Sequence, residues 1–248
     1  MNKIDLLEKV LLAKTISPTR NPYALCKELE IEVIANRHLN KDGYLVCFGG
    51  CKLIFVNSTI ANPHRRRFVI SHELGHFFLH QDRLYSCANI SEQTLTATRL
   101  NTSMQEREAN CFASEFLLPE QQLKEAIPSE DLTFNKIKNI ATAFDVSVTF
   151  AAIKSVQLSN TENEILLCYD KGALRWFTSG DKSLRPKSIP NTSPIDLSAA
   201  PIESSVSNVW DTLYQGTVRQ EIFSPYGTQK LVLLTGRRLN VEENWDEF

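Results

Sequence analysis

Apolar residues first recur at helical spacing. Ile4, Leu7, Val10 and Leu11 fall on one face of a helix over residues 4–15. A second short helix is predicted over 22–30, with Pro22 in its first turn, where a missing N–H costs nothing. The period then shortens to two. Gly43-Tyr-Leu-Val-Cys-Phe48 and Cys51-Lys-Leu-Ile-Phe-Val56 flank Gly49-Gly50, the signature of a two-residue β-hairpin. A loop from Asn57 to Pro63 leads to a helix from about Arg67 to His80, rich in Phe, Leu and Ile. Residues 81–103 are polar and irregular, and residues 104–118 form a further helix that Pro119 stops.

Helical spacing continues over 120–126 and 132–156. The second stretch has the form of a helix–turn–helix, with Asp145-Val146-Ser147 as its turn. Beyond Asn160 the character changes. ILLCYD, LRWFTS and KLVLLTG read as strands, and residues 183–205 are rich in Pro and Ser without a period. The expectation is an α+β chain in three parts: residues 1–130, a helix–turn–helix-like segment over 131–158, and a small α+β domain over 160–248.

Composition narrows the function classes. Of 248 residues, 42% are hydrophobic and 23% charged, with a net charge of −2. Up to Ser159 there are 18 Lys/Arg against 17 Asp/Glu, and beyond it 9 against 12. Neither part is basic, which weighs against nucleic acid as the main partner. The N-terminal stretch is broken by Asp5, Glu8, Lys9 and Lys14, so it lacks the apolar core of a secretory signal. No run of 18 apolar residues exists, so no membrane span is expected. The six cysteines (Cys26, Cys47, Cys51, Cys87, Cys111 and Cys168) are scattered, as in a chain with reduced thiols in the cytoplasm. Cys47 and Cys51 have no second Cys/His pair nearby and read as ordinary strand residues of the buried kind.

The pointed chemistry lies in His72-Glu73-Leu74-Gly75-His76, an HExxH motif on the long central helix. Residues i and i+4 share a helix face, so both imidazoles can meet one Zn²⁺. Glu73 flanks that position without binding it and can accept a proton from water activated there. The helix is apolar on most sides, and a carboxylate buried in such surroundings is costly unless a cation or strong hydrogen bonds compensate. Catalytic zinc takes three protein ligands and keeps one position open. His38 and His64 precede the helix in loop-like sequence. Alternatively, Glu106 on the downstream helix can supply a carboxylate, with Asn110 four residues on orienting a histidine ring. Glu108 is turned about 200° from Glu106 and is expected to be solvated or ion-paired.

RRRFVISHELGHFFLH followed by EREANCFASEFLLP closely resembles the ImmA/IrrE metallopeptidases, as do the hairpin with Gly43 and the strand ending at Asn57. The resemblance covers roughly residues 20–156; Ser71 stands where Ala is usual and Phe116 where Leu is common. It implies a zincin-like peptidase domain of the gluzincin type over residues 1–130, with Zn²⁺ held by His72, His76 and Glu106. Glu73 is then the catalytic base, and His80, Tyr85 and Arg107 are candidates to stabilise the oxyanion. The implied substrate is a helix–turn–helix transcriptional repressor, cut to relieve repression under DNA damage, stress or phage attack. In related proteins a tail such as 160–248 resembles a GAF-like sensor, which would take a nucleic-acid or small-molecule signal. Cys87, in the loop between the two ligand-bearing helices, is a candidate inhibitory zinc ligand. Two other classes compete: a DNA-binding regulator using residues 132–156 with a structural metal, and a peptidase-like toxin or binding module. The stretch VSVTFAAIKSVQL, with one Lys and no Arg, is poorly charged for the first of these.

Overall fold

The computed structural model describes residues 3–80, 104–127, 131–159, 163–181, 184, 186–198 and 203–238. Tyr85 and Cys87 lie outside the described residues. The fold is mixed α and β with two sheets, and the chain divides into two compact units. The first comprises Met1–Glu120 and Phe144–Ser147, the second Gln121–Ala143 and Val148–Phe248.

The first unit opens with α1 (Lys3–Ile16) and α2 (Pro22–Glu28). Its sheet contains β1 (Glu32–Asn36), β2 (Gly43–Phe48) and β3 (Cys51–Asn57) in the order β1-β3-β2. The β2–β3 hairpin turns on Gly49 (φ 59°) and Gly50 (φ 83°), the left-handed values a tight two-residue turn demands. Strand β1 pairs parallel to β3; its sequence EVIAN is too short and irregular in period to announce a strand. Cys47 and Cys51 are strand residues, but both are exposed rather than buried, because the tip of the hairpin projects beyond the packed face.

Helix α3 (Pro63–Leu79) begins four residues before the expected start. Asn62 caps it, its Oδ1 accepting from the backbone N–H of His64 at 2.9 Å and of Arg65 at 3.3 Å, with Pro63 at the first helical position. The three arginines that follow are tied down locally. Arg65 donates to the buried Asp42 at 2.7 Å, Arg66 to the Ile60 carbonyl, and Arg67 to the Arg20 carbonyl at 2.8 Å. Arg67 also pairs with Asp145, in the turn that belongs to this unit. Helix α4 (Met104–Leu117) packs along α3. They approach closely at Gly75, where a Cβ would lie 2.9 Å from Ala109 Cα and 3.0 Å from its carbonyl oxygen. The two departures from the family pattern are absorbed locally. Ser71 donates its hydroxyl to the Arg67 carbonyl, and Phe116 stacks on Phe112.

The second unit holds α5 (Glu120–Ala126) from Gln121 onward, α6 (Phe134–Phe144) up to Ala143, and α7 (Val148–Leu158). Its sheet has five antiparallel strands: β4 (Glu164–Asp170), β5 (Ala173–Ser179), β6 (Glu203–Ser207), β7 (Val218–Phe223) and β8 (Gln229–Thr235). The order is β5-β4-β8-β7-β6. Interior strand β4, flanked by β5 and β8, is buried on both faces, which is why ILLCYD reads as a continuous apolar run rather than an alternating one. One face carries a cluster of Ile165, Leu167, Tyr169, Trp210, Tyr214 and Val232, while α7 packs on β4 and β5. Strand β7 also anchors the start of α6. Glu221 accepts from the Phe134 N–H at 2.7 Å, and Arg219 donates to the Leu132 carbonyl at 2.7 Å.

Candidate metal centre

Helix α3 carries His72, Glu73 and His76, all fully buried. The i, i+4 spacing puts the two imidazole rings on one face, with centroids 4.8 Å apart. Helix α4 crosses that face and contributes Glu106. The crossing is close because position 75 has no side chain and position 109 has only a methyl group. Three side chains converge there, offering two imidazole nitrogens and both Glu106 oxygens. His72 Nε2 lies 3.1 Å from His76 Nε2 and 3.1 Å from Glu106 Oε2, and His76 Nε2 lies 3.6 Å from Glu106 Oε1.

These separations test whether a metal fits. A tetrahedral zinc with bonds of about 2.0–2.1 Å keeps its ligand atoms about 3.3 Å apart, and the three observed distances bracket that value. The tautomers agree. Asn110 Oδ1 lies 2.8 Å from His72 Nδ1 and can only accept, so that nitrogen carries the proton and Nε2 presents a lone pair. Lone pairs and a carboxylate aimed at one buried point repel each other unless a cation lies between them, so the donor set suits a divalent metal. Without a metal between them, burial raises the Glu106 carboxyl, but hydrogen bonds and charge from His72 and His76 outweigh it and hold it at about 2.

Glu73 follows His72 and lies beside the first residue of β2. A Cβ at Gly43 would stand 2.6 Å from Val69 Cγ1, 2.9 Å from the Phe55 carbonyl and 3.4 Å from Glu73 Oε1. The absent side chain is therefore what lets the strand close over the base of the site. Of the other residues considered, His38 is exposed beyond β1, and His64 lies near Asp145, so neither joins the cluster. Arg107 is exposed on α4, and Cys111 is exposed one helical turn beyond it. His80 turns inward, its Nδ1 3.1 Å from His76 Nδ1 and its Nε2 2.9 Å from Glu108 Oε2. The Glu108 link was missed in the sequence. Nothing in the spacing marks His80 as the partner of Glu108.

Comparison with known proteins gives a consistent picture. The IrrE N-terminal-like domain of Peptidase M78 matches residues 26–155. Metallopeptidase ImmA of Bacillus subtilis (strain 168) is 30% identical over 153 residues, spanning 59% of this chain and 82% of that protein. An uncharacterized immunity region protein 2 of Bacillus phage phi105 is 39% identical over 103 residues, spanning 41% of this chain and 61% of that protein. Among solved structures, a Mycobacterium tuberculosis transcriptional regulator is similar in fold, with a TM-score of 0.55 at 15% identity. That likeness covers 93% of this chain and 76% of the other.

Proposed function

The chain belongs to the Peptidase M78 family of IrrE N-terminal-like metallopeptidases, and on that premise we propose that it is a zinc-dependent endopeptidase that cuts a helix–turn–helix transcriptional repressor. The observation that carries the catalytic half of this reading is the convergence of His72, His76 and Glu106 beside the buried Glu73. These three residues would hold the zinc. When bound, it would lower the pKa of water and polarise the scissile carbonyl.

The remaining chemistry belongs to the chain. Glu73 takes the proton of the attacking water and passes it to the leaving amine. Its side chain is fully buried beside the two histidines. Asn110 keeps His72 in the tautomer that leaves Nε2 bare. Arg107, an exposed cation one residue from Glu106, and His80 are the described candidates for oxyanion stabilisation. Tyr85 and the inhibitory role assigned to Cys87 remain proposals from sequence.

The substrate half rests on the family resemblance and on the immunity-region title of the phage relative. Release from repression under DNA damage, stress or phage attack fits that pairing, as does action in the cytoplasm. Among the described residues no helix is long and apolar enough to cross a membrane. Residues 160–248 are proposed to receive the activating signal, a nucleic acid or a small molecule. The competing DNA-binding reading finds little support in α7. This helix would have to present side chains to a groove, yet it buries Thr149, Phe150, Ala151, Ala152, Ile153, Ser155 and Val156.

The test is cleavage. The purified chain is incubated with the helix–turn–helix protein encoded nearest to it, and products are identified by mass spectrometry. The wild type should cut at one site. Glu73→Gln should retain its fold and metal yet cut about a hundred- to ten-thousand-fold more slowly, the loss expected for a missing general base. Cleavage by Glu73→Gln at the wild-type rate would refute the mechanism, and an intact repressor with active enzyme on a generic peptide would refute the substrate.

A further inference from the structure

We propose that His80 and Glu108 are positioning residues that hold the metal-binding ring of His76, through a hydrogen-bonded chain running from Glu108 to His80 to His76. The inference rests on the reading that His72, His76 and Glu106 bind zinc.

The chain is defined by two contacts, His76 Nδ1 to His80 Nδ1 at 3.1 Å and His80 Nε2 to Glu108 Oε2 at 2.9 Å. Both partners are sheltered. The His80 side chain is 7% exposed and that of Glu108 17%, so neither contact is a loose surface pair. Proton placement then follows from what each group can do. An ionised carboxylate only accepts, so His80 Nε2 carries a proton and donates it to Glu108. In the neutral ring Nδ1 of His80 is then an acceptor. It takes the hydrogen bond from His76 Nδ1–H, which leaves His76 Nε2 as a bare lone pair. That is the nitrogen that faces His72 Nε2 and Glu106. One arrangement of protons therefore satisfies the whole chain and presents the correct atom.

The fold explains why His80 is available. It is the C-terminal cap of α3, with its N–H bonded to the His76 carbonyl at 2.9 Å and its backbone already out of the helix at φ −135° and ψ 41°. Four residues beyond His76 and so on the same face, its ring packs against that of His76, with centroids 5.2 Å apart. Both imidazoles are then steadied from α4, His72 directly by Asn110 and His76 by Glu108 through His80. With both its nitrogens engaged, His80 acts on the metal ligand and not on the oxyanion.

The test measures zinc affinity by chelator competition on the full chain, alongside melting of the metal-free protein. His80→Phe fills the space without an acceptor and should weaken zinc about ten- to a hundred-fold, the usual cost of losing a partner behind a ligand. His80→Gln can accept from His76 and donate to Glu108, and should restore most of the affinity. Glu108→Gln, at a half-buried helix position that leaves the fold intact, should weaken zinc several-fold. Combined with His80→Phe it should add nothing, because Glu108 acts only through His80. Wild-type affinity in a folded His80→Phe, or additive losses in the double variant, would overturn the proposal. If His80→Phe does not fold, unchanged affinity in Glu108→Gln overturns it. A wild-type chain that takes up no zinc would instead overturn the metal site itself.

Discussion

Two imidazoles face the Glu106 carboxyl, and they outweigh the upward push of burial so that it ionises at about 2 rather than 4.5. The folded value is the lower one, so this group stabilises the metal-free fold above about 4.5 and loses that contribution as the pH falls toward 2. Acid unfolding of the metal-free Glu106→Gln variant should accordingly show a shallower pH dependence across that window than the wild type, followed by circular dichroism. Superimposable acid limbs would mean that Glu106 does not face the histidines. At this scale the sequence was informative where a spacing rule applied. His72 and His76 are four apart on a helix, and Glu106 and Asn110 are four apart on another, so each pair had to share a face. The His80–Glu108 contact was not legible, because it depends on how two helices cross, which no local pattern records.

The crossing of α3 and α4 is the element on which the site depends. Gly75 and Ala109 let the two backbones approach, and Glu106 reaches the histidines only because they do. Gly75→Ala would drive a methyl group to 2.9 Å from Ala109 Cα and 3.2 Å from Phe112 Cβ, with no flexible side-chain end to yield. Overpacking of this kind costs about 1–3 kcal/mol. The better helix propensity of Ala returns at most about 1 kcal/mol. We expect Gly75→Ala to lower stability in denaturant titration and to weaken zinc binding together, since Glu106 moves away with α4. A variant as stable as the wild type with unchanged zinc affinity would contradict the close crossing. Elements with strong periods or turn signals, such as the β2–β3 hairpin, α4, and β4, could be read directly. Strand β7 could not. Its sequence VRQEIF spends polar residues on internal partners: Gln220 accepts from the Trp210 indole at 2.8 Å, and Glu221 caps α6. The start of α3 was placed late because three consecutive arginines disguise a first turn whose charges are taken up by Asp42, Asp145 and backbone carbonyls.

For the whole molecule, the proposed ligands His72, His76 and Glu106, the proposed base Glu73, and Asn110 and His80 beside them all belong to the first unit. The chain leaves that unit after Glu120 and returns for Phe144–Ser147, a division that no compositional shift announces. The match to the peptidase family runs from 26 to 155 and so spans parts of both units, while the likeness in fold to the mycobacterial regulator extends over 93% of the chain. The proposed substrate and signal concern the intact protein, and the proposed cleavage requires a metal. Metal content of the intact purified chain, by native mass spectrometry with elemental analysis, therefore tests the central claim most directly. The account predicts about one zinc per chain in the wild type, and loss of most of it in each of His72→Ala, His76→Ala and Glu106→Ala, with the metal-free fold retained. Full zinc occupancy in Glu106→Ala, or no metal in the wild type, would contradict it.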